Sequence, residues 1–220
     1  MADRWATFDC YGTLIDWNGG IRRELGRLFG DEHADRLLVR YHELEPQIQA
    51  DDPTAGYRAV MALVLGRLAG EESVELAPAE TDALARSLPG WTAFPEVPAA
   101  LHQARSRGYR LAILSNSDPD LIAASIEQIG VSLDEAITAS EIGSYKPAHG
   151  HWREFERRRG RLPDVHVGAS LFHDMAPATE LQIPCVWVNR LGESSDGYGP
   201  TREIADLAPL PDVLGSLGSQ

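Results

Sequence analysis

The apolar residues of this chain follow two periodicities. Short runs, "WATF" (5–8), "YRLAILS" (109–115), "AIT" (136–138), "VHVGAS" (165–170) and "PCVWV" (184–188), are apolar or β-branched and bounded by turn residues, as strands buried on both faces should be. Between them, residues 97–108, 119–130, 150–160 and 176–183 carry apolar positions at helical spacing and often stop at glycine. This alternation predicts an α/β fold, a three-layer Rossmann-like core in which a parallel sheet has helices on both faces. Residues 15–91 depart from it: "GGIRRELGRLFG", "ADRLLVRYHELEPQIQ" and "GYRAVMALVLGRLAG" are helical in pattern, and they separate the first strand from the rest. The simplest organisation is a core of residues 1–14 and 92–220 interrupted by a helical cap, 15–91. The tail "LAPLPDVLGSLGSQ" reads as a last docking segment with a frayed end.

Composition narrows the function classes. At 220 residues the chain suits one core with an insertion, and 43 % hydrophobic with 24 % charged residues is ordinary globular usage that excludes disorder. A formal charge of −13 argues against nucleic acid or an anionic membrane surface as partner, since both select basic surface. Cys10 and Cys185 form no C-x-x-C pattern, which fits a reducing compartment. "MADRWATFDC" has no basic region leading into an apolar run, and no apolar stretch reaches the roughly 20 residues that span a bilayer. The expectation is a soluble, cytoplasmic protein.

In parallel α/β sheets, ligands bind beyond the carboxyl ends of the strands. Asp9 follows the first run, Ser115 and Asn116 the second, Lys146 lies in the loop after the third, and Asp174 follows the fourth. Each alone has an ordinary reading. An aspartate at a strand end caps a helix or forms a turn, "SNSDPD" is common helix-start chemistry, and Lys146 reads as a solvated surface lysine. Taken in order at one sheet edge, they bring together a nucleophile, hydroxyl and amide donors, a cation and a second acid.

"FDCYGTL" (8–14), "LSNS" (114–117), "SYKP" (144–147) and "GASLFHD" (168–174) resemble the four motifs of the haloacid dehalogenase superfamily, in order across nearly the whole chain. The superfamily's phosphatases place a second aspartate two residues after the nucleophile; here that position is Tyr11. The chain is therefore similar to the L-2-haloacid dehalogenase branch, which works without metal or other cofactor. A departing halide needs no proton, whereas an alcohol leaving a phosphate does. The resemblance implies that Asp9 attacks the halogen-bearing carbon of a small halogenated carboxylic acid and forms an ester that water hydrolyses. It implies that Lys146 and Thr13 orient Asp9, that Asp174 activates or positions the water, and that Ser115 and Asn116 grip the substrate carboxylate. Tyr11 and Ser170 complete the pocket. Arg40 would receive the halide, Leu44 and Trp152 would wall it, and His173, where an aromatic is common, would offer fluoride a hydrogen bond. The register of residues 168–174 stays open, because Ser170 stands four residues before Asp174 and no Asn lies between them. The resemblance also suggests a homodimer. A Mg²⁺-dependent phosphatase and a noncatalytic small-acid binder are the alternatives.

Other candidates read as structural. His149 and His151 lack a carboxylate or thiol partner at ligand spacing, the basic run from Arg153 to Arg161 is interrupted by Glu154 and Glu156, and Cys10 has no paired His.

Overall fold

Six parallel strands in the spatial order β3-β2-β1-β4-β5-β6 carry the molecule: β1 Arg4–Phe8, β2 Tyr109–Ser115, β3 Glu135–Thr138, β4 Val165–Gly168, β5 Cys185–Val188 and β6 Arg202–Ile204. The structure is a computed structural model that describes residues 4–52, 55–195 and 197–217. The chain leaves β1 to one side for β2 and β3, then returns to its other side for β4. The crevice between the ends of β1 and β4 is therefore the topological switch point, where open sheets of this kind bind ligands. Five strands match the apolar runs to within one or two residues. The sixth is three residues long and exposes Arg202 and Glu203, too short and too polar to register in the pattern.

Among the described residues, four helices fill the segment between β1 and Trp91: α1 Trp17–Phe29, α2 Asp31–Asp51, α3 Tyr57–Glu71 and α4 Ala83–Ser87, with single 3₁₀ turns at Pro78–Glu80 and Leu88–Gly90. Asp16 caps α1, its carboxylate accepting from the Gly19 N–H at 3.0 Å. Asp31 and Glu32 place negative charge at the positive end of the α2 dipole. The insertion leaves and returns through one neck: Asp16 N–H donates to the Thr92 carbonyl at 2.9 Å and Phe94 N–H to that of Leu14 at 3.0 Å. The remaining helices are α5 Val97–Ser106, α6 Pro119–Ile129, α7 Ala139–Ile142, α8 Gly150–Arg159, α9 Ala176–Glu180 and α10 Leu210–Leu217. A π-helical turn, Leu171–Met175, runs directly into α9.

The sheet splits the core in two, as the period-2 alternation of a strand requires. On β2, Leu111 and Ile113 join a cluster with Phe8, Leu37, Tyr41 and Leu101, while Ala112 and Leu114 join Trp5, Trp152, Phe155 and Trp187 on the other face. The insertion helices share the first cluster. Leu210 and Leu214 dock α10 against it; residues 218–220, where the sequence suggests fraying, lie outside the described residues. Cys10 and Cys185 are buried free thiols. Among the described residues no helix is long and apolar enough to cross a membrane.

Candidate active site

Asp9 extends β1 by one residue, its N–H donating to the Val167 carbonyl of β4 at 2.9 Å. Gly12, at φ +84°, then reverses the chain in a conformation that other residues adopt only under strain. The reversal returns Thr13 to the carboxylate, where its hydroxyl donates to Asp9 Oδ2 at 3.0 Å and accepts from the Ala169 N–H at 2.9 Å. Lys146 Nζ lies 2.8 Å from Asp9 Oδ1 and 2.6 Å from Asp174 Oδ1. Its loop is held by Asn116, whose Oδ1 accepts from the Lys146 N–H at 2.6 Å and whose Nδ2 donates to the Lys146 carbonyl at 2.9 Å. Asn116 thus has both ends of its amide on the lysine's main chain.

Asp174 sits in the π-helical turn against the end of β4. Its Oδ2 accepts from the Ser170 N–H at 3.1 Å, and its Oδ1 meets His166 Nε2 at 3.3 Å, behind which Thr7 Oγ1 contacts His166 Nδ1 at 2.9 Å. Gly168 makes room for this carboxylate: a Cβ there would lie 2.5 Å from it. Ser170 caps the turn, its Oγ accepting from the His173 N–H at 3.0 Å and pairing with His173 Nδ1 at 3.2 Å. Ser170 and Asp174 are therefore fixed together, whereas Leu171 turns away to pack on the second core cluster.

The charges are uneven. Burial pushes the Asp9 carboxyl above its ordinary value, against the opposing pull of the Lys146 ammonium. Burial acts on Asp174 in the same sense, but Lys146 and His166 outweigh it and hold its carboxyl well below the usual carboxylate range. Burial works to discharge Lys146; Asp174 and Asp9 outweigh that and raise its pKa. Burial also raises the Tyr11 phenol, which stays neutral and bonds to Ser125 Oγ at 3.1 Å.

A cavity of about 710 Å³ opens over these groups, and Asp9, Tyr11, Ser115, Asn116, Lys146, Ser170, His173 and Asp174 all line it. Thr13 lies beneath, bonded to Asp9. Three expected residues are elsewhere. Arg40 is on the outer surface of α2, its guanidinium paired with Glu71 at 2.8 Å and Glu43 at 2.7 Å. The physical reason is helical phase. At about 100° per residue, Gln49 lies about 180° around the helix from Arg40. Gln49, Glu45 and His42 line the cavity, so Arg40 faces away from it. Leu44 packs in the core between those faces. Trp152 lies at 0 % exposure on the far side of the sheet, its ring against His166 at 5.2 Å, and does not wall the cavity.

Sequence reasoning missed His42, Glu45 and Gln49 from α2, Trp17 and Asn18 from α1, and Arg190 after β5. One signal was available: in α2 the inward stripe Leu37–Tyr41–Leu44 continues into Glu45 and Gln49, polar residues at buried phase. Arg190 is fixed by Glu96 at 2.7 Å and the Thr13 carbonyl at 2.9 Å, with its guanidinium over the Phe94 ring.

A carboxylate at the end of the central strand, oriented by a hydroxyl, neutralised by an ammonium and open to a cavity, marks an α/β enzyme equipped to use that carboxylate as a nucleophile. Residues 4–177 match the model of the haloacid dehalogenase-like hydrolases. An (S)-2-haloacid dehalogenase of Pseudomonas sp. (strain YL) is 31% identical over 228 residues, covering 94% of this chain and 92% of the relative. A solved L-2-haloacid dehalogenase superimposes with a TM-score of 0.86 at 23% identity, over 98% of this chain and 100% of that one. The Xanthobacter autotrophicus L-2-haloacid dehalogenase with chloropropionic acid covalently bound does so with 0.83 at 18% identity, over 97% and 98%. These two are likenesses of fold. The chain belongs to the haloacid dehalogenase-like hydrolase family.

Proposed function

We propose that this hydrolase converts small 2-haloalkanoic acids to 2-hydroxy acids through an ester on Asp9. The observation that carries the reading is one ammonium, Lys146 Nζ, seated on both Asp9 and Asp174, with Tyr11 where a phosphatase would hold its second acid. In this reading an Asp9 oxygen attacks the halogen-bearing carbon in line and the halide leaves with the bonding electrons. Thr13 and Lys146 fix the carboxylate's aim. Ser115 and Ser170 offer hydroxyls to the substrate carboxylate, while Asn116 serves chiefly to hold the lysine loop. Water then attacks the ester carbonyl. Asp174, kept ionised by Lys146 and His166, suits orienting that water better than taking its proton, since an effective base has a pKa near the working pH.

A divalent cation does not fit this donor set. The two carboxylates are already bridged by an ammonium, and the neutral Tyr11 phenol adds no anionic oxygen. The chemistry is therefore proposed to be metal-free. The neck at residues 14–16 and 92–94 supports reading 15–91 as a cap over the site. The net charge of −13 argues against nucleic-acid or anionic-membrane partners, the free thiols of Cys10 and Cys185 fit a cytoplasmic protein, and the family resemblance suggests a homodimer.

Halide release from (S)-2-chloropropionate should persist in excess chelator. One turnover in ¹⁸O water with enzyme in excess should label the Asp9 carboxylate and leave the first product molecule unlabelled. Phosphate-ester hydrolysis that requires Mg²⁺, without halide release, would overturn the reading.

A further inference from the structure

The insertion gives the cavity no cation. Among its lining residues only Lys146 and Arg190 are lysine or arginine, and both belong to the sheet side and are held by carboxylates. From α2 the cavity receives His42, Glu45 and Gln49 instead. In-line attack from Asp9 drives the leaving group away from the sheet, toward this wall.

Glu45 is 8 % exposed. Its Oε1 accepts from the Tyr57 hydroxyl at 2.8 Å and from Gln49 Nε2 at 3.4 Å, and Tyr57 in turn accepts from Trp17 Nε1 at 3.2 Å. Every donor converges on Oε1, and Oε2 has no hydrogen bond among the described residues. A proton on this carboxyl therefore resides on Oε2, free to be donated into the cavity.

We propose that the departing halide is received by the neutral carboxyl of Glu45 rather than by a guanidinium, with Oε2–H donating a hydrogen bond to it as Asp9 attacks. The proposal rests on the dehalogenase reading above. The C–O bond to Asp9 forms, the carbon–halogen bond breaks with both electrons on the halide, and Glu45 keeps its proton throughout. His42, half-buried beside the Trp17 ring at 4.9 Å, with its Nε2 buried and without a hydrogen-bond partner among the described residues, is the second donor at this end.

The protonation state agrees with the geometry. Burial and the nearby Asp9 charge raise the Glu45 carboxyl to about 7, against the Tyr57 hydrogen bond. The groups around it are the Tyr57 and Tyr41 phenols, held neutral by burial; Tyr145, whose phenol is raised by burial and by the charges of Asp118 and Glu45; His42, whose pKa burial lowers; and Asp9 with Lys146 from the sheet. Once ionised, Glu45 loses its donor and repels both halide and substrate.

Single-turnover halide release from (S)-2-chloropropionate, followed from about pH 6 to about pH 9, tests this. Wild type should fall about tenfold per pH unit above about pH 7, whereas Glu45→Gln, a weaker donor with no proton to lose, should be several-fold slower at about pH 6 and flat thereafter. Glu45→Leu should be slower by about 100-fold or more, with a much smaller change in KM. The same alkaline fall in Glu45→Gln, or a Glu45→Leu variant as fast as wild type, overturns the proposal alone. No halide release by wild type from any 2-haloacid overturns the dehalogenase reading and the proposal with it. On unaltered protein, ¹³C NMR of the Glu45 carboxyl should show its titration midpoint raised by bromide relative to gluconate at equal ionic strength; an unmoved midpoint counts against the proposal.

Discussion

Among the described residues each oxygen of Asp9 has one side-chain donor, Lys146 on Oδ1 and Thr13 on Oδ2, and the two donors are far apart in the sequence. Because burial raises the Asp9 carboxyl and attack requires its ionised form, turnover should rise with pH through an acid limb above the ordinary 3.8. Initial rates from about pH 3.5 to about pH 6 test this, and a limb below the ordinary value would contradict it. His173 lines the cavity beside the Ser170–Asp174 turn and offers a compact polar edge. His173→Trp should therefore lose fluoride release from fluoroacetate more than chloride release from chloroacetate, and equal losses would remove His173 from leaving-group chemistry. Arg40→Ala should leave halide release and the melting temperature nearly unchanged, since the guanidinium pairs with Glu43 and Glu71 on the outer surface, away from the cavity.

Elements decide what was legible. The strand-end residues Asp9, Ser115, Lys146 and Asp174 were readable because a parallel sheet puts every strand's end on one edge, so position along a strand fixes position in space. A helix gives no such guarantee. The resemblance assigns Arg40 to the halide, yet at about 100° per residue a difference of one or two residues in phase carries a side chain from the cavity to solvent. Trp152 failed for a related reason: α8 presents its apolar face to the sheet, and a fully buried indole there cannot also reach the crevice. The π-helical turn at 171–175 was invisible because its widened loop is set by the cap at Ser170 and the space left by Gly168, not by periodicity. Gly168→Ala should test that element. The added methyl must displace the Asp174 carboxylate, so turnover should fall about 100-fold or more while far-UV circular dichroism is retained. Near-wild-type activity would mean that the turn tolerates the displacement.

Across the whole molecule, Glu45 costs stability at neutral pH in exchange for its place in the cavity. An unfolded glutamate ionises near 4.5 and the buried one at about 7, so between these values the unfolded chain releases a proton that the native protein keeps. Stability is greatest below the lower value and falls as pH rises through the window. At about 1.4 kcal/mol per tenfold difference in acidity, the loss approaches about 3 kcal/mol by pH 7–8. Glu45→Gln should escape it, so urea unfolding of variant and wild type should diverge in the variant's favour on going from about pH 4.5 to about pH 8. A constant difference would show that Glu45 does not titrate with folding.

Lys146 is the only lysine in the chain; every other basic side chain of this class is arginine. Its side chain is 1% exposed, locked between two carboxylates. Acylating reagents that seek free amines should therefore spare Lys146 in the folded protein, and add one adduct more when the Asp9–Lys146–Asp174 triad comes apart. Intact-mass spectrometry after a brief acylation pulse thus counts molecules with an assembled site directly, needing neither substrate nor an introduced label.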